Sequence, residues 1–338
     1  MAETQLLRLP WELMLNVMAC YLPLNPTTLI PTSDNATQLL LDFSTVNRVT
    51  REFAVRKIQQ HCIVLDTDDK LRRFLLCLEL SRRPKPFDIP SVFHNIHTMY
   101  LAPFGLVMDN LPTAMWIRDI FGYTSESLKR LIVDMPFDSL PPWNDHLNVG
   151  PVLLEGFERL GKLEEFVCTR NAARLSVRHE DGSSKSILYR WPNLRRLGLN
   201  RPLCDTDFWE CLADLPHLEH AIFAGAMSNL GGGSEFREVY TQRASPASRI
   251  TLVLAEVREF MISSTNNSSE SIGSIEEDDR IRLMAYKIRI PPRKNFLDSN
   301  SEWLMGTALA GELWDIQGQR FIETPQLLVP HPQVAELE

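Results

Sequence analysis

The sequence predicts an α+β protein in which a short N-terminal helical module precedes an array of alternating strands and helices. Two observations lead to this prediction. Within the first 60 residues, apolar side chains recur at three- and four-residue steps, which is the spacing of one helix face. Beyond residue 60, a hexamer recurs with apolar residues at its first, fourth and sixth places, and the last two alternate as strand residues do.

The composition indicates a folded chain whose partners are other proteins. Its 338 residues are 44% hydrophobic and 23% charged, close to the averages for folded proteins, and can form more than one domain. The net charge of −8 opposes non-specific binding to nucleic acid or to an anionic membrane, because both attract basic surfaces. We therefore expect no nucleic acid and no membrane among the partners.

The lengths of the apolar runs and the positions of the cysteines indicate the cellular compartment of the protein. No apolar run approaches the roughly 20 residues that span a bilayer, and Met1 to Gln5 lack the features of a secretion signal. The six cysteines form no C-x-x-C pair, so they are interpreted as small buried hydrophobes in a reducing environment. We expect a cytoplasmic or nuclear location.

The first helix is predicted to begin at Pro10. Proline suits the first turn of a helix, where no N–H is needed, and the helix dipole favours the carboxylate of Glu12 nearby. Leu13, Val17 and Tyr21 recur at i, i+4 and i+8 and form one apolar stripe. Such a helix must bury this face.

A second helical block follows a linker that contains three prolines. From Gln38 to Gln59, apolar residues repeat at three- and four-residue steps with basic residues on the other side, which predicts one or two further short helices. The repeating apolar positions are Leu39, Leu40, Phe43, Val46, Val49, Phe53 and Ile58.

The two blocks together resemble the F-box motif over residues 5–60. The resemblance lies in Leu9-Pro10-x-Glu12-Leu13 leading to Tyr21-Leu22, followed by Phe43-Ser44-x-Val46-Asn47-Arg48. It implies a three-helix module that binds the Skp-type adaptor of a cullin RING ubiquitin ligase. The adaptor-binding residues that it implies are Leu9, Pro10, Glu12, Leu13, Val17, Tyr21, Val46, Asn47 and Arg48. The alternative is that these are ordinary core helices of a larger helical domain.

Three features differ from the family pattern. The segment from Pro23 to Thr37 is longer than in most F-box proteins, Tyr21 and Leu22 lie one residue later than usual, and Thr50 stands where an aromatic residue is common. None of the three removes the apolar face of the first helix.

Strands and helices are predicted to alternate over residues 61–262. A short strand at Ile63 to Leu65 precedes a helix that Asp68 caps, with Leu71, Phe74, Leu75 and Leu78 on one stripe. The hexamers follow as Ile96-Met99-Leu101, Leu128-Leu131-Val133, Leu163-Phe166-Cys168, Leu194-Leu197-Leu199, Leu218-Ala221-Phe223 and Ile250-Val253-Ala255. Helices are predicted between them at Pro112 to Phe121, Pro151 to Leu160 and Thr206 to Leu215.

The hexamers start roughly 24 to 35 residues apart, irregularly and without an Asn or Cys ladder. This array resembles a degenerate leucine-rich repeat, so the expected fold class is α+β overall, with an F-box followed by an α/β leucine-rich-repeat-like solenoid. An irregular α/β domain of the same content is the alternative.

The strand phase predicts a concave surface for a target protein. If the fourth and sixth places face the core, then the third, fifth and seventh places face the concave side of a parallel sheet. The predicted substrate-binding residues are Tyr100, Arg130, Ile132, Asp134, Glu165, Val167, Arg196, Asn200 and His220. The alternative is an exposed sheet face without a partner, or one that the C-terminal segment covers.

Three segments follow the array. Residues 263–280 are rich in serine and acidic residues and are predicted to be a mobile loop. Residues 281–324 are predicted to form a capping strand and helix, because a terminal repeat must shield its apolar face. The strand changes its apolar phase near Tyr286, which indicates a bulge or burial on both faces. Residues 325–338 are predicted to be an extended tail.

Catalytic and metal-binding patterns are missing from the sequence. It contains no Gly-x-Ser-x-Gly elbow, phosphate-cradling loop or His-Glu-x-x-His helix. Cys204 and Cys211 are too far apart for a zinc knuckle, and no other Cys or His cluster has suitable spacing. We therefore expect no catalytic residue, no metal and no small-molecule cofactor.

The functional hypothesis is a substrate-recognition subunit of an SCF-type cullin RING ubiquitin ligase. The F-box would hold the Skp-type adaptor, and the array would hold an unknown target protein. The alternative is a non-catalytic repeat scaffold that binds a partner without ubiquitination.

Overall fold

The computed structural model describes residues 10–82, 95–140, 145–171, 176–178, 184–226, 233–256, 279–289 and 296–320. The helices in these ranges are α1 (Trp11–Cys20), α2 (Asn35–Phe43), α3 (Arg48–His61), α4 (Asp68–Arg82), α5 (Leu111–Thr124), α6 (Val149–Glu158), α7 (Thr206–Ala213), α8 (Gly233–Arg243) and α9 (Phe296–Ala310). The strands are β1 (Val64–Leu65), β2 (Thr98–Leu101), β3 (Arg130–Val133), β4 (Glu165–Asn171), β5 (Ser176–Arg178), β6 (Ser184–Ser186), β7 (Arg196–Asn200), β8 (His220–Ala224), β9 (Ile250–Glu256), β10 (Ile281–Lys287) and β11 (Gln319–Arg320). The predicted mixture of helix and strand is confirmed.

One parallel sheet organises the chain after residue 60. Its strands lie in the order β1-β2-β3-β4-β7-β8-β9-β10, so each pairs with its neighbours in sequence, and β11 closes the sheet antiparallel to β10. The strands β5 and β6 form a separate antiparallel hairpin between β4 and β7. The connections between consecutive parallel strands thus bring each hexamer beside the next one.

The first hydrophobic core lies between this sheet and the helices α4 to α8. In the first five hexamers the fourth and sixth residues point into it, as Phe166 and Cys168 do, and the first residues are buried before their strands. The sixth hexamer was assigned the wrong phase. Leu252 lies beside Ala221 and Leu254 beside Phe223, so these residues, and not Val253 and Ala255, face the helices.

The second hydrophobic core lies on the opposite face of the same sheet. Strand residues such as Ile132, Val167 and Ile222 pack there with Leu304 and Ala308 of α9 and with Leu313 just beyond it. Strand β10 extends the sheet and is buried on both faces, as the change in its apolar phase predicted. The helix of the predicted cap, α9, lies across β3, β4, β7 and β8 instead of at the end of the sheet.

The third hydrophobic core belongs to the N-terminal module, in which α1 and α2 pack against α3. Met18, Leu40 and Ala54 are fully buried at its centre. Asn47 caps α3: its Oδ1 accepts from the Thr50 N–H at 3.0 Å, and the Asn47 N–H donates to Thr50 Oγ1 at 3.2 Å. The unusual Thr50 therefore completes a capping box and is fully buried.

The long segment between α1 and α2 joins the module to the C-terminal end of α9. The Leu29 N–H donates to Leu309 O at 2.8 Å, Thr28 Oγ1 donates to Ala310 O at 2.8 Å, and Asn25 Nδ2 donates to Gly311 O at 2.9 Å. The last carbonyls of a helix have no partner inside it, so they need such donors. This segment thus connects the N-terminal module to the end of α9.

Candidate docking surfaces

The outer face of α1 is apolar and lies in solvent. Leu13, Val17 and Tyr21 are 49%, 45% and 62% exposed, whereas Met18 on the other side of the helix is fully buried. Pro10 is the N-cap residue and α1 begins at Trp11, one residue after the predicted start. Glu12 lies in the first turn, as expected. The chain therefore builds this helix without burying the stripe that sequence analysis identified.

The start of α3 adds further exposed residues to the module. Val46 and Val49 are exposed, and Arg48 is exposed with an ion pair to Glu52 at 3.0 Å. Asn47 has an intramolecular role as the cap of α3. Trp11 and Val49, which sequence analysis did not single out for adaptor binding, join the exposed apolar set; Leu9 lies outside the described residues.

The predicted concave surface is covered by α9. Six of its residues are buried there: Tyr100, Arg130, Ile132, Glu165, Val167 and Asn200. Asp134 and His220 are half-buried, and Arg196 is exposed. The strand phase was right, but the prediction of an open target surface is wrong for the buried six, since the apolar residues of α9 occupy that space.

Arg130 and Glu165 form the polar centre of this covered face. Arg130 Nε donates to Glu165 Oε1 at 2.5 Å, and both side chains are less than a tenth exposed. The same guanidinium donates to Ala308 O of α9 and to Thr27 O of the α1–α2 segment. A buried charge needs this kind of complete pairing, and a cation near a helix C-terminus also complements the helix dipole. The pair therefore fastens three parts of the chain together.

Tyr100 and His220, two other predicted concave residues, have shifted pKa values. Tyr100 donates from its hydroxyl to Met305 Sδ at 3.4 Å, and burial, with Asp134 and Asp66 nearby, raises the pKa of this hydroxyl. Burial lowers the pKa of His220, and the guanidinium of Arg196 adds to this effect. The Tyr100 hydroxyl thus contacts α9 directly, whereas the buried Nδ1 of His220 has no hydrogen-bond partner among the described residues.

Three of the four buried cysteines have a raised thiol pKa. Burial raises the pKa of Cys62 and Cys168, and raises that of Cys211 to about 12. Since the thiolate is the nucleophile and the metal ligand, this shift disfavours either role for these three thiols. Across the described ranges, no group of three or more His, Cys, Asp or Glu residues could hold a metal ion.

Charge alternation between hexamers was a signal that sequence analysis did not use. Arg130 and Glu165 both occupy the third place of their hexamers, and the structure pairs them in register on adjacent strands. At the second place, Lys129 pairs with Glu164 at 2.8 Å and Arg195 with Glu219 at 3.4 Å. Opposite charges at equal places of consecutive hexamers therefore indicated which strands are neighbours.

Comparisons with known proteins identify no relative. No protein-family model matches the chain, and neither the curated proteins nor the solved structures contain a match. Among the described helices, none combines the length and the apolar character that crossing a membrane requires.

Proposed function

We propose that this chain is a substrate-recognition subunit of an SCF-type cullin RING ubiquitin ligase. The observation that carries the proposal is the exposed apolar stripe of Leu13, Val17 and Tyr21 on a helix whose other side is packed. A folded chain rarely exposes a contiguous apolar surface without a partner for it. The F-box resemblance of residues 5–60 names that partner as a Skp-type adaptor.

The order of the strands supports a repeat interpretation of the rest of the chain. Each parallel strand from β1 to β10 lies beside its sequence neighbours, apart from the inserted β5–β6 hairpin, as in an array whose units contact only adjacent units. A degenerate leucine-rich-repeat-like solenoid fits this order, although both faces of its sheet are packed.

The mechanism of such a subunit is proximity. The adaptor would connect α1 to the ligase, and another surface of the chain would hold the target near the ubiquitin thioester. Holding two reactants together raises their effective concentration, so the receptor needs no reactive side chain of its own. Such a subunit would act in the cytoplasm or the nucleus.

Binding to a purified Skp-type adaptor tests the proposal. The wild-type chain should form a complex, and a Leu13→Asp, Val17→Asp variant should lose it at least tenfold, since well-packed apolar anchors contribute about 2 kcal/mol or more each. Leu76→Asp is the matched control, because Leu76 is similarly exposed on α4. If the wild-type chain does not bind the adaptor, the proposal is wrong.

A further inference from the structure

The two edges of the parallel sheet differ in what they expose. Of the described connections that lead into the strands, only the one before β7 exposes a large apolar side chain, Tyr189, and Lys129–Glu164 and Arg195–Glu219 pair their charges at this edge. At the edge where strands end, the connections expose Leu106, Val107, Leu147 and Leu203. We name these four residues, together with the acidic residues Asp109, Asp138 and Asp207, the carboxyl-edge surface.

The loop that follows β2 presents its apolar residues rigidly. Phe104 and Met108 are buried and anchor it, while Leu106 between them is 86% exposed. Arg170 Nη1 donates to Gly105 O at 2.9 Å, and the Met108 N–H donates to Ser139 Oγ at 3.0 Å. The neighbouring connections thus hold the loop on both sides of its tip, so a partner would find Leu106 and Val107 already ordered and would lose less entropy on binding.

Exposed acidic groups outnumber the exposed cation Arg201 in the described connections that carry these apolar residues. Asp109, Asp138 and Asp207 are exposed at the same edge and form no ion pair with any described residue. Arg170, by contrast, is bound to Asp134 Oδ1 at 3.1 Å. Unpaired carboxylates around apolar side chains complement a partner that carries basic and apolar residues.

The spacing of the edge fits an extended segment of a partner. The strands β2, β3, β4 and β7 are consecutive in the sheet, so the connections that carry Leu106 and Leu203 leave it about 14 Å apart, at about 4.8 Å per strand. An extended peptide covers that distance with about five residues.

We propose that the carboxyl-edge surface binds a basic peptide segment of the target protein, with apolar side chains against Leu106, Val107, Leu147 and Leu203 and with Lys or Arg against Asp109, Asp138 and Asp207. This proposal rests on the proposed receptor function, because it names the chemistry of the target. It places target recognition on loops that the sheet holds, since α9 fills the concave face.

Synthetic peptide pools of about 12 residues test the proposal with the full chain immobilised, at about 0.15 M salt. The first pool combines Lys and Arg with Leu, Ile and Phe. The second pool has Glu in place of the basic residues, and the third has Ser in place of the apolar residues. The first pool alone should be retained. The tightest peptide should then bind more weakly to two double variants. The first is Leu106→Ser with Val107→Ser, and the second is Asp109→Lys with Asp138→Lys. Each should lose at least about tenfold in affinity, which is about 1.4 kcal/mol of binding free energy.

Two controls match these variants. Leu76→Ser removes an exposed leucine from α4, and Glu164→Lys with Glu219→Lys makes the same change in net charge at the opposite edge. Both should bind the peptide as the wild type does. The proposal is wrong if the first pool is not retained. It is also wrong if the opposite-edge variant loses as much affinity as the Asp109→Lys, Asp138→Lys variant, because the peptide would then respond only to the net charge of the chain. Adaptor binding should be equal in all variants, so a failure of the adaptor experiment is distinguishable from a failure here.

Discussion

Arg130 and Glu165 show how a surface-type residue pair becomes part of a core. Separate burial of either charge would be costly, but the pair is hydrogen-bonded and the guanidinium also reaches two backbone carbonyls. Removing Glu165 leaves the Arg130 guanidinium buried with carbonyl acceptors but without its carboxylate. The pair therefore matters more to stability than the exposed pairs along the same strands.

Replacing Glu165 with alanine should lower the free energy of unfolding by about 3 to 5 kcal/mol, because Arg130 then remains buried without its carboxylate. Glu164→Ala is the matched control, since Glu164 forms an exposed pair with Lys129, and its loss should cost less than about 1 kcal/mol. Urea denaturation of both variants measures the difference. Equal losses would show that Glu165 is not buried as described.

Stability should fall as the pH drops from about 7.5 to about 5.5. Burial lowers the pKa of His61 below its usual 6.5, although the hydrogen bond between its Nδ1 and Thr28 O partly opposes this effect. Burial lowers the pKa of His220 as well. The unfolded chain then binds more protons than the folded chain, so the stabilisation is present above the unfolded pKa and is lost below it.

Thermal denaturation at both pH values measures this effect in the wild type and in His61→Asn. The variant should lose less stability on acidification than the wild type does. Identical pH dependence of the two proteins would contradict the assignment to His61.

At the residue scale, the sequence pattern predicts which side chains share a face, but not whether a distant element covers that face. Leu13, Val17 and Tyr21 were recognised from helical spacing, and their exposure agrees with a docking role that remains to be tested. Arg130 and Glu165 were placed on the correct face, yet burial depends on α9, which is distant in sequence. Charged residues at alternating strand positions predict a face exposed to solvent unless the element that covers the face is known.

The C-terminal end of α9 shows how one element is fixed by another. Gly311 has φ = 76°, and the Gly311 N–H donates to Ala308 O while the Glu312 N–H donates to Thr307 O, both at 3.0 Å. This is a Schellman motif, in which glycine accepts the left-handed conformation without strain. A Cβ atom at Gly311 would lie 2.3 Å from Thr27 Oγ1 and 2.8 Å from Asn25 Nδ2.

Gly311→Ala should therefore destabilise the chain by about 1 to 3 kcal/mol, through backbone strain and displacement of the α1–α2 segment. Gly306→Ala in the same helix should have the opposite effect and stabilise by about 0.5 to 1 kcal/mol, because no atom lies within 4 Å of the added methyl group. Unfolding midpoints in urea compare the two variants. A stable Gly311→Ala protein would refute the close approach of the two segments.

At the element scale, strongly patterned segments were predictable. The helices α5, α6 and α7 overlap their predictions, and the burial of Leu71, Phe74, Leu75 and Leu78 confirms the predicted stripe of α4. The sequence does not show which residues of β9 face the helices, because Leu252 to Ala255 are all apolar and the alternation of apolar and polar residues is absent. Periodicity also shows which side of α9 is apolar but not which surface receives it.

At the scale of the whole molecule, both faces of the sheet are packed in the described chain. Helices cover one side, α9 covers much of the other, and the α1–α2 segment fastens the N-terminal module to that arrangement. Among the described residues, exposed apolar side chains on α1, around the start of α3 and along the edge where the strands end are candidate surfaces for partners. The predicted boundaries of the F-box and the array stay predictions, and the acidic loop lies largely, and the tail wholly, outside the described residues.

Ile132→Asp with Val167→Asp tests whether the covered face is core. Both side chains are fully buried, so the variant should lose more than about 4 kcal/mol of stability and should aggregate or unfold on purification. Leu13→Asp with Val17→Asp is the control, and its unfolding midpoint should equal that of the wild type. A folded Ile132→Asp, Val167→Asp protein would restore the open concave surface as a possibility for target binding.

Hydrogen exchange of the chain, alone and with a saturating Skp-type adaptor, tests the whole account most directly. In the free chain, β3 and β4 should exchange slowly, because they lie in a sheet packed on both faces. Addition of the adaptor should slow exchange in peptides covering residues 11–21 and 44–49 and leave the strands unchanged. Unaltered exchange at residues 11–21, despite saturating adaptor, would contradict the assignment of α1 as the docking helix.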